Sequence, residues 1–344
     1  MPLKFAYLGL WHSHTVMHIR DAANRPDEFQ LVGAYEPDPA IRDAKLGEWA
    51  ADLTDVPVFE SVEQALDSEA EAIICEGRVS ENLDYAERAL EADKHVLLEK
   101  PAGVNMAQLE RLHDTARRKG LHLQMAYMWR YNPAIAEMIR LCRAGALGDP
   151  FYFRGHIPKP MAYHARLVEE LDWYKGSLYF EMAGHLVDIM VTFMGVPGQV
   201  NATHAGHHGE RKHVDNAVVV HQFDNGGLGT IDTASMHVES GLTRRIELYG
   251  TGGTAIHTPI GSNNLTLSLQ RPFEQHDVGW QELTVSTPPG PPSLLTELAA
   301  CVSGAKEPDY TLDHDLAVHR TLFAGCGITD GSALTDAPHS AKSS

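Results

Sequence analysis

Short apolar runs and amphipathic stretches alternate along the first third of the chain. Leu3–Leu8 predicts a buried strand ending at Gly9, and His14–Asn24 reads as the helix after it. Gln30–Tyr35 predicts a second strand, Pro39–Leu53 a helix rich in alanine and charge, and Pro57–Phe59 a short strand followed by a helix at Ser61–Leu66. Strands are then expected at Ala72–Cys75, His95–Leu98 and Leu121–Met125, with helices at Asn82–Ala92 and Met106–Lys119. Strand and helix in regular succession, with runs that do not strictly alternate, indicate a parallel sheet covered on both faces. The expectation is a doubly wound α/β domain over residues 1–125.

The pattern then changes. Pro133–Ala144 reads as a helix closed by Gly145, and Leu178–Met194 as another. From Gln199 to Thr287 the apolar positions alternate, as in Ala217–Phe223, Leu228–Ser235, Arg245–Tyr249, Leu265–Gln270 and Glu282–Val285. Turns such as Asp224-Asn225-Gly226-Gly227 and Gly250-Thr251-Gly252-Gly253 punctuate them, so an antiparallel sheet built mostly of hairpins is expected. Helices at Ser293–Ser303 and Asp313–Gly327 close an α+β domain over residues 126–336, and 337–344 reads as a frayed tail.

Composition narrows the possible partners. The 344 residues carry 46 acidic against 28 basic side chains, a formal charge of -18, which repels nucleic acid and anionic lipid alike. No stretch approaches the roughly 18 apolar residues that span a bilayer, and the first residues lack the longer apolar core of a leader. Cys75, Cys142, Cys301 and Cys326 form no close pair, as expected of reduced thiols in a cytoplasmic protein.

A doubly wound domain binds its ligand beyond the first strand, where a GxGxxG turn serves a dinucleotide. Here the turn reads Gly9-Leu10-Trp11-His12-Ser13-His14, with only the first glycine present. Trp11 must swing aside to admit a pyrophosphate, while the following helix still offers N–H groups and the positive end of its dipole. Glu36, at the end of the second strand, suits a ribose 2′-hydroxyl and favours NAD, although Arg42 could reach the 2′-phosphate of NADP.

The segment Ala92-Asp93-Lys94-His95-Val96-Leu97-Leu98-Glu99-Lys100-Pro101 is more specific. It resembles the strand-and-turn signature of the glucose–fructose oxidoreductase, inositol dehydrogenase and rhizopine-catabolism family (Gfo/Idh/MocA). Further segments fall in the family's order: Met128-Trp129-Arg130-Tyr131-Asn132-Pro133, Gly145–Asp149, the stretch GSLYFEMAGHLVD from Gly176 to Asp188, Asp224–Gly229 and Tyr249–Gly253. The resemblance implies a Rossmann-type domain joined to a large open, mostly antiparallel sheet, and a homo-oligomer, dimer or tetramer, formed through that sheet. It implies nicotinamide-dependent redox chemistry on a sugar, cyclitol or related polyol. Three places depart from the family pattern: the glycine turn, the loop Glu76–Asn82, and Glu181 where the family carries aspartate. On this reading the dinucleotide contacts are Gly9, Trp11, His12, His14, Glu36, Glu76 and Asn82, with Glu99, Lys100, Pro101 and Arg130.

Hydride transfer needs a group that stabilises the reacting oxygen and one that takes its proton. Lys100, beyond a buried strand, is the expected cation, and His185 the expected acid/base. Glu181 stands four residues before His185 on one helical face and would orient it, with Asp188 a turn further. Substrate contacts are expected from Lys100, Arg130, Trp173, His185 and Asp188. A loop at His156–Arg166 should add His156, Tyr163 and His164.

Two other classes remain open from the residues. His14 and His18 stand i,i+4 like a zinc pair, and with Glu181 and His185 a metal-assisted hydrolase or epimerase is conceivable. No metal ligand is assigned, because these histidines also suit a nucleotide crevice. A redox-neutral enzyme that recycles NAD within a turnover would carry the same residues. Trp11 and the altered Glu76–Asn82 loop would suit a non-catalytic sugar-binding or regulatory protein, which has no need of Lys100 and His185 together.

Overall fold

The computed structural model describes residues 1–160, 170, 174–207, 214–235 and 238–328. Two compact units emerge: Met1–Tyr127 with Pro292–Leu316, and Met128–Pro291 with the described residues from Ala317 onward. The returning segment Pro292–Leu316 belongs to the first unit, so the second is not the unbroken stretch 126–336 that the pattern alone suggested.

In the first unit, β1 (Leu3–Leu8), β2 (Phe29–Tyr35), β3 (Ala72–Cys75), β4 (His95–Leu98) and β5 (Leu123–Met125) form one parallel sheet in the order β2-β1-β3-β4-β5. The expected strand at Pro57–Phe59 shrinks to a single parallel bridge, Ala34 to Val58, beside β2. Counting that bridge, the chain runs outward from β1 in both directions. The reversal lies between β1 and β3, where doubly wound sheets place their ligands. Helices α1 (Thr15–Asn24), α2 (Pro39–Trp49), α3 (Val62–Leu66), α4 (Val79–Glu91) and α5 (Met106–Lys119) link the strands. Strands β3 and β4 are almost wholly buried, as their unbroken apolar runs require.

The second unit holds α6 (Pro133–Arg143), α7 (Leu178–Met194), the single turn α8 (Ser240–Thr243) and an eight-stranded sheet. Its strands are β6 (Pro150–Pro158), β7 (Gln199–Ala205), β8 (Asn216–Gln222), β9 (Leu228–Ala234), β10 (Arg245–Gly250), β11 (Gly253–His257), β12 (Asn264–Leu269) and β13 (Gly279–Thr284). The order is β13-β12-β11-β10-β6-β9-β8-β7, antiparallel throughout except for the parallel pair β6 and β9. The remaining helices are α9 (Leu294–Val302) in the first unit and α10 (Leu312–Gly325), within which the two units meet along the chain.

The inward side of this sheet carries α7, and two glycines set the distance. A Cβ on Gly155 of β6 would come within 2.9 Å of Leu186 Cδ2, and one on Gly229 of β9 within 2.6 Å of Met190 Sδ. Only bare backbone lets the helix lie this close. Helix α7 is buried on nearly every side, which explains its uninterrupted apolar sequence.

Candidate active site

The first unit gathers its candidates at the carboxyl ends of β1, β3 and β4. Gly9 leaves β1 with φ +80, and a Cβ there would lie 2.2 Å from Gly77 Cα. The turns after β1 and β3 are pressed together backbone to backbone, so glycine is required at this contact. His12 N–H donates to the Glu76 carbonyl at 3.1 Å and tightens the same join. Trp11 lies under the Arg78 guanidinium, 5.7 Å from its ring centre. Glu36 is buried; its Oε2 accepts Leu10 N–H at 2.7 Å and its Oε1 accepts Asp38 N–H at 3.0 Å. It braces the turn, a use the sequence did not suggest, and keeps one lone pair per oxygen for a ribose.

Behind this turn lies a buried ionisable cluster. Glu76 and Glu99 are 0% and 1% exposed, and Lys100, joined to Pro101 by a cis bond, is 4% exposed. His14 Nδ1 lies 3.0 Å from Glu99 Oε1, His12 Nδ1 3.4 Å from the same oxygen, and His18 Nε2 3.0 Å from Glu76 Oε1. Burial lowers the His14 pKa and outweighs the opposing pull of Glu99, so at neutral pH it is an uncharged donor. Burial alone would raise the Glu99 carboxyl, yet the neighbouring imidazoles, the His14 hydrogen bond and Lys100 hold it below its ordinary range. His18 goes the other way: burial opposes its charge, but its close contact with Glu76 and the charges of Glu76 and Glu99 raise it.

These residues fit a dinucleotide. Asp38, Ser61, Asn105 and Asn132 cap the helices they precede, whereas His14 gives α1 no side-chain cap. The N–H groups that open α1 are therefore not taken by the side chain of the residue before the helix, at the sheet's reversal point, as phosphate oxygens require. Asn82 adds a buried Oδ1 with no hydrogen-bond partner. Gly9, Trp11, His12, His14 and Glu36 all lie on or against this turn, Glu76, Glu99, Lys100 and Pro101 just past the ends of the neighbouring strands, and Asn82 in the first turn of α4.

The second unit builds its group around α7. Glu181 and His185, four residues apart, and Asp188, a turn further, are all buried. The Trp129 ring stacks on His185 with centroids 4.8 Å apart and planes inclined by 17°. Trp129 belongs to a short 3-10 turn, Met128–Tyr131, and sequence reasoning gave it no role; its place beside Arg130 in the quoted motif was the only hint.

Two expectations need correcting here. Arg130 grips Asp188 with Nε on Oδ2 at 2.9 Å and Nη2 on Oδ1 at 2.6 Å, and both side chains are buried. A planar guanidinium matches a carboxylate in this two-bond form, so each of these two expected substrate contacts, one of them also expected at the cofactor, already has a partner within the protein. His156 lies within β6 rather than in a loop. Phe153, Gly155 and Ile157 of that strand are buried towards α7, which puts His156 on the opposite side, where it pairs with Asp232. Tyr163, His164 and Trp173 lie outside the described residues.

The sequence was compared with known proteins. Residues 3–127 match the family model described as "Oxidoreductase family, NAD-binding Rossmann fold", and residues 135–256 match "GFO/IDH/MocA C-terminal domain". The chain is 24% identical to scyllo-inositol 2-dehydrogenase (NAD(+)) of Bacillus subtilis, over 57% of this chain and 58% of that one. It is 26% identical to myo-inositol 2-dehydrogenase of Thermotoga maritima, over 62% and 63%. The match thus spans somewhat over half the length of these curated relatives. Among solved structures, levoglucosan dehydrogenase in complex with NADH and levoglucosan shares the fold, with a TM-score of 0.79, 16% identity and coverage of 97% and 99%. UDP-N-acetylglucosamine 3-dehydrogenase of Acidithiobacillus ferrooxidans gives 0.76, 18%, 95% and 97%.

Proposed function

Since this chain belongs to the Gfo/Idh/MocA oxidoreductases, we propose that it moves hydride between a nicotinamide dinucleotide and a carbinol or keto carbon of a sugar, cyclitol or related polyol. The observation that carries the reading is the uncapped start of α1 at the reversal point of a sheet whose sequence matches an NAD-binding family. The relatives' names support a polyhydroxylated substrate, since inositols and levoglucosan are compact rings of secondary alcohols.

Bound NAD would supply the hydride acceptor in oxidation, held by the turn Gly9–His14, Glu36 and Asn82. The Lys100 ammonium then hydrogen-bonds the substrate hydroxyl and stabilises alkoxide character as hydride leaves the carbon. His185 takes the hydroxyl proton on its imidazole and returns it when the reaction runs backwards. Trp129 restricts the ring to one orientation, and Glu181, on the same face of α7, favours its protonated form. Arg130 neutralises Asp188, so the buried carboxylate next along the helix does not compete for that proton. The outer side of the eight-stranded sheet, where Phe151, Val218, Leu228 and Trp280 are exposed, is assigned to self-association. A cytoplasmic setting suits the four free cysteines.

The test is a panel of inositols, aldoses and anhydro-sugars with NAD and NADP, followed by absorbance of the reduced nicotinamide. Turnover with at least one cyclic polyol, lost in Lys100→Ala and in His185→Ala with circular dichroism unchanged, is the expected result. Wild-type rates in both variants would overturn the assignment.

A further inference from the structure

The hydride reading uses the start of α1 and Asn82, but it leaves the two buried carboxylates behind them unexplained. Both oxygens of Glu76 and Oε2 of Glu99 are shielded from solvent and accept no hydrogen bond. An ionised carboxylate in such a place costs several kcal/mol, by order of magnitude, unless a cation or donors meet it. His18 Nε2 is the nearest partner, 3.0 Å from Glu76 Oε1, yet it too lacks an aligned hydrogen bond.

We propose that His18, Glu76 and Glu99 form a binding site for one divalent first-row transition ion. They come from three elements, α1 and the ends of β3 and β4, and offer one donor atom each, all within 4.8 Å of one another. Donors about 2.0–2.2 Å from a common ion lie roughly 3 Å apart, the separation found between His18 and Glu76. One imidazole with two carboxylates suits zinc, manganese or iron(II).

The surroundings fit as well. His14 Nδ1 holds Glu99 Oε1 at 3.0 Å and leaves Oε2 for the ion, the outer contact that metal-binding carboxylates commonly have. An ion held there would add positive charge to a cluster in which two buried carboxylates lie beside Lys100. The ion would tie the first helix to the two central strands at the point where the sheet reverses. Glu76 and Glu99 are also expected beside the dinucleotide, but the α1 N–H groups and Asn82 lie outside this set of ligands.

The experiment uses the full-length protein after EDTA treatment and desalting, titrated calorimetrically with zinc and with manganese and spectroscopically with cobalt. One equivalent should bind, cobalt should develop visible bands, and the melting temperature should rise. His18→Gln and Glu76→Gln should each weaken binding by at least the roughly 10–100-fold seen when only an outer-shell partner is lost. The absence of one-to-one binding, or binding of equal strength in both variants, would overturn the site; the latter would mark an ion held elsewhere on the surface. If Glu76→Gln does not fold, the cobalt bands of wild type against His18→Gln decide the question. Parallel titration with NADH, followed by fluorescence, separates the two readings: failure there strikes hydride transfer and leaves the ion site standing.

Discussion

The two units bury their ionisable groups in opposite ways. In the second, Arg130 meets Asp188 through two aligned bonds, and His185 lies flat on Trp129. In the first, Glu76 and part of Glu99 have no hydrogen-bond donor, and α1 starts without a cap. One arrangement pairs its buried charges within itself, while the other leaves carboxylate oxygens that a ligand would complete. A site that must hold a charged cofactor cannot satisfy itself beforehand, whereas an acid/base group gains from fixed orientation.

That contrast can be broken at several points. The largest effect is expected at His185: replacement by alanine should lower kcat by roughly 10²–10⁴-fold, the usual worth of a placed acid/base, in steady-state assays with the best substrate of the panel. Arg130→Ala comes next, because it strands a carboxylate that is 0% exposed. A loss of about 3–5 kcal/mol is expected in urea unfolding. A loss below 1 kcal/mol would mean that Asp188 is not held by this pair.

A third test is pH-dependent. His221, on β8, is 0% exposed, and burial, only partly offset by the Gly229 backbone, lowers its pKa from 6.5 to about 4. The unfolded chain therefore takes up a proton below pH 6.5 that the folded chain refuses until about pH 4. Stability is intact above 6.5 and should fall across that window by about 3 kcal/mol from this group. In His221→Leu the fall should be shallower; superimposable pH–stability curves would sink the account.

Gly155→Ala should cost about 1–3 kcal/mol, because its Cβ meets Leu186. A matching gain of stability in the double variant with Leu186→Ala would show that the contact is the cause. The smallest effect belongs to Trp129. Removing the ring stack, worth about 0.5–1.5 kcal/mol, should move the His185 limb of the kcat/KM pH profile by up to about one pH unit in Trp129→Leu. Trp129→Phe should largely restore it, and an unmoved limb in the leucine variant would reduce Trp129 to packing.

What could be read from the sequence followed the range of the interactions involved. Buried parallel strands write themselves as short apolar runs, so β3, β4 and α5 lie where the pattern put them, and the order of family segments identified the second sheet. Strand β6 escaped, because Pro150 and Pro158 flank it and Gly155 interrupts its apolar side, although it is central and pairs in parallel with β9. Its glycine looks like a turn until α7 is seen against it.

The chain by itself determined the alternation of strand and helix, the family, and the candidacy of Lys100, Glu181 and His185, since periodicity and local motifs are properties of neighbouring residues. Only the folded structure decided that Arg130 and Asp188 answer each other, that Glu36 braces a turn, that His156 faces away from α7, and that Glu76, Glu99 and His18 converge. Each of those outcomes joins residues many positions apart, and no local pattern encodes which distant side chain will share a buried charge.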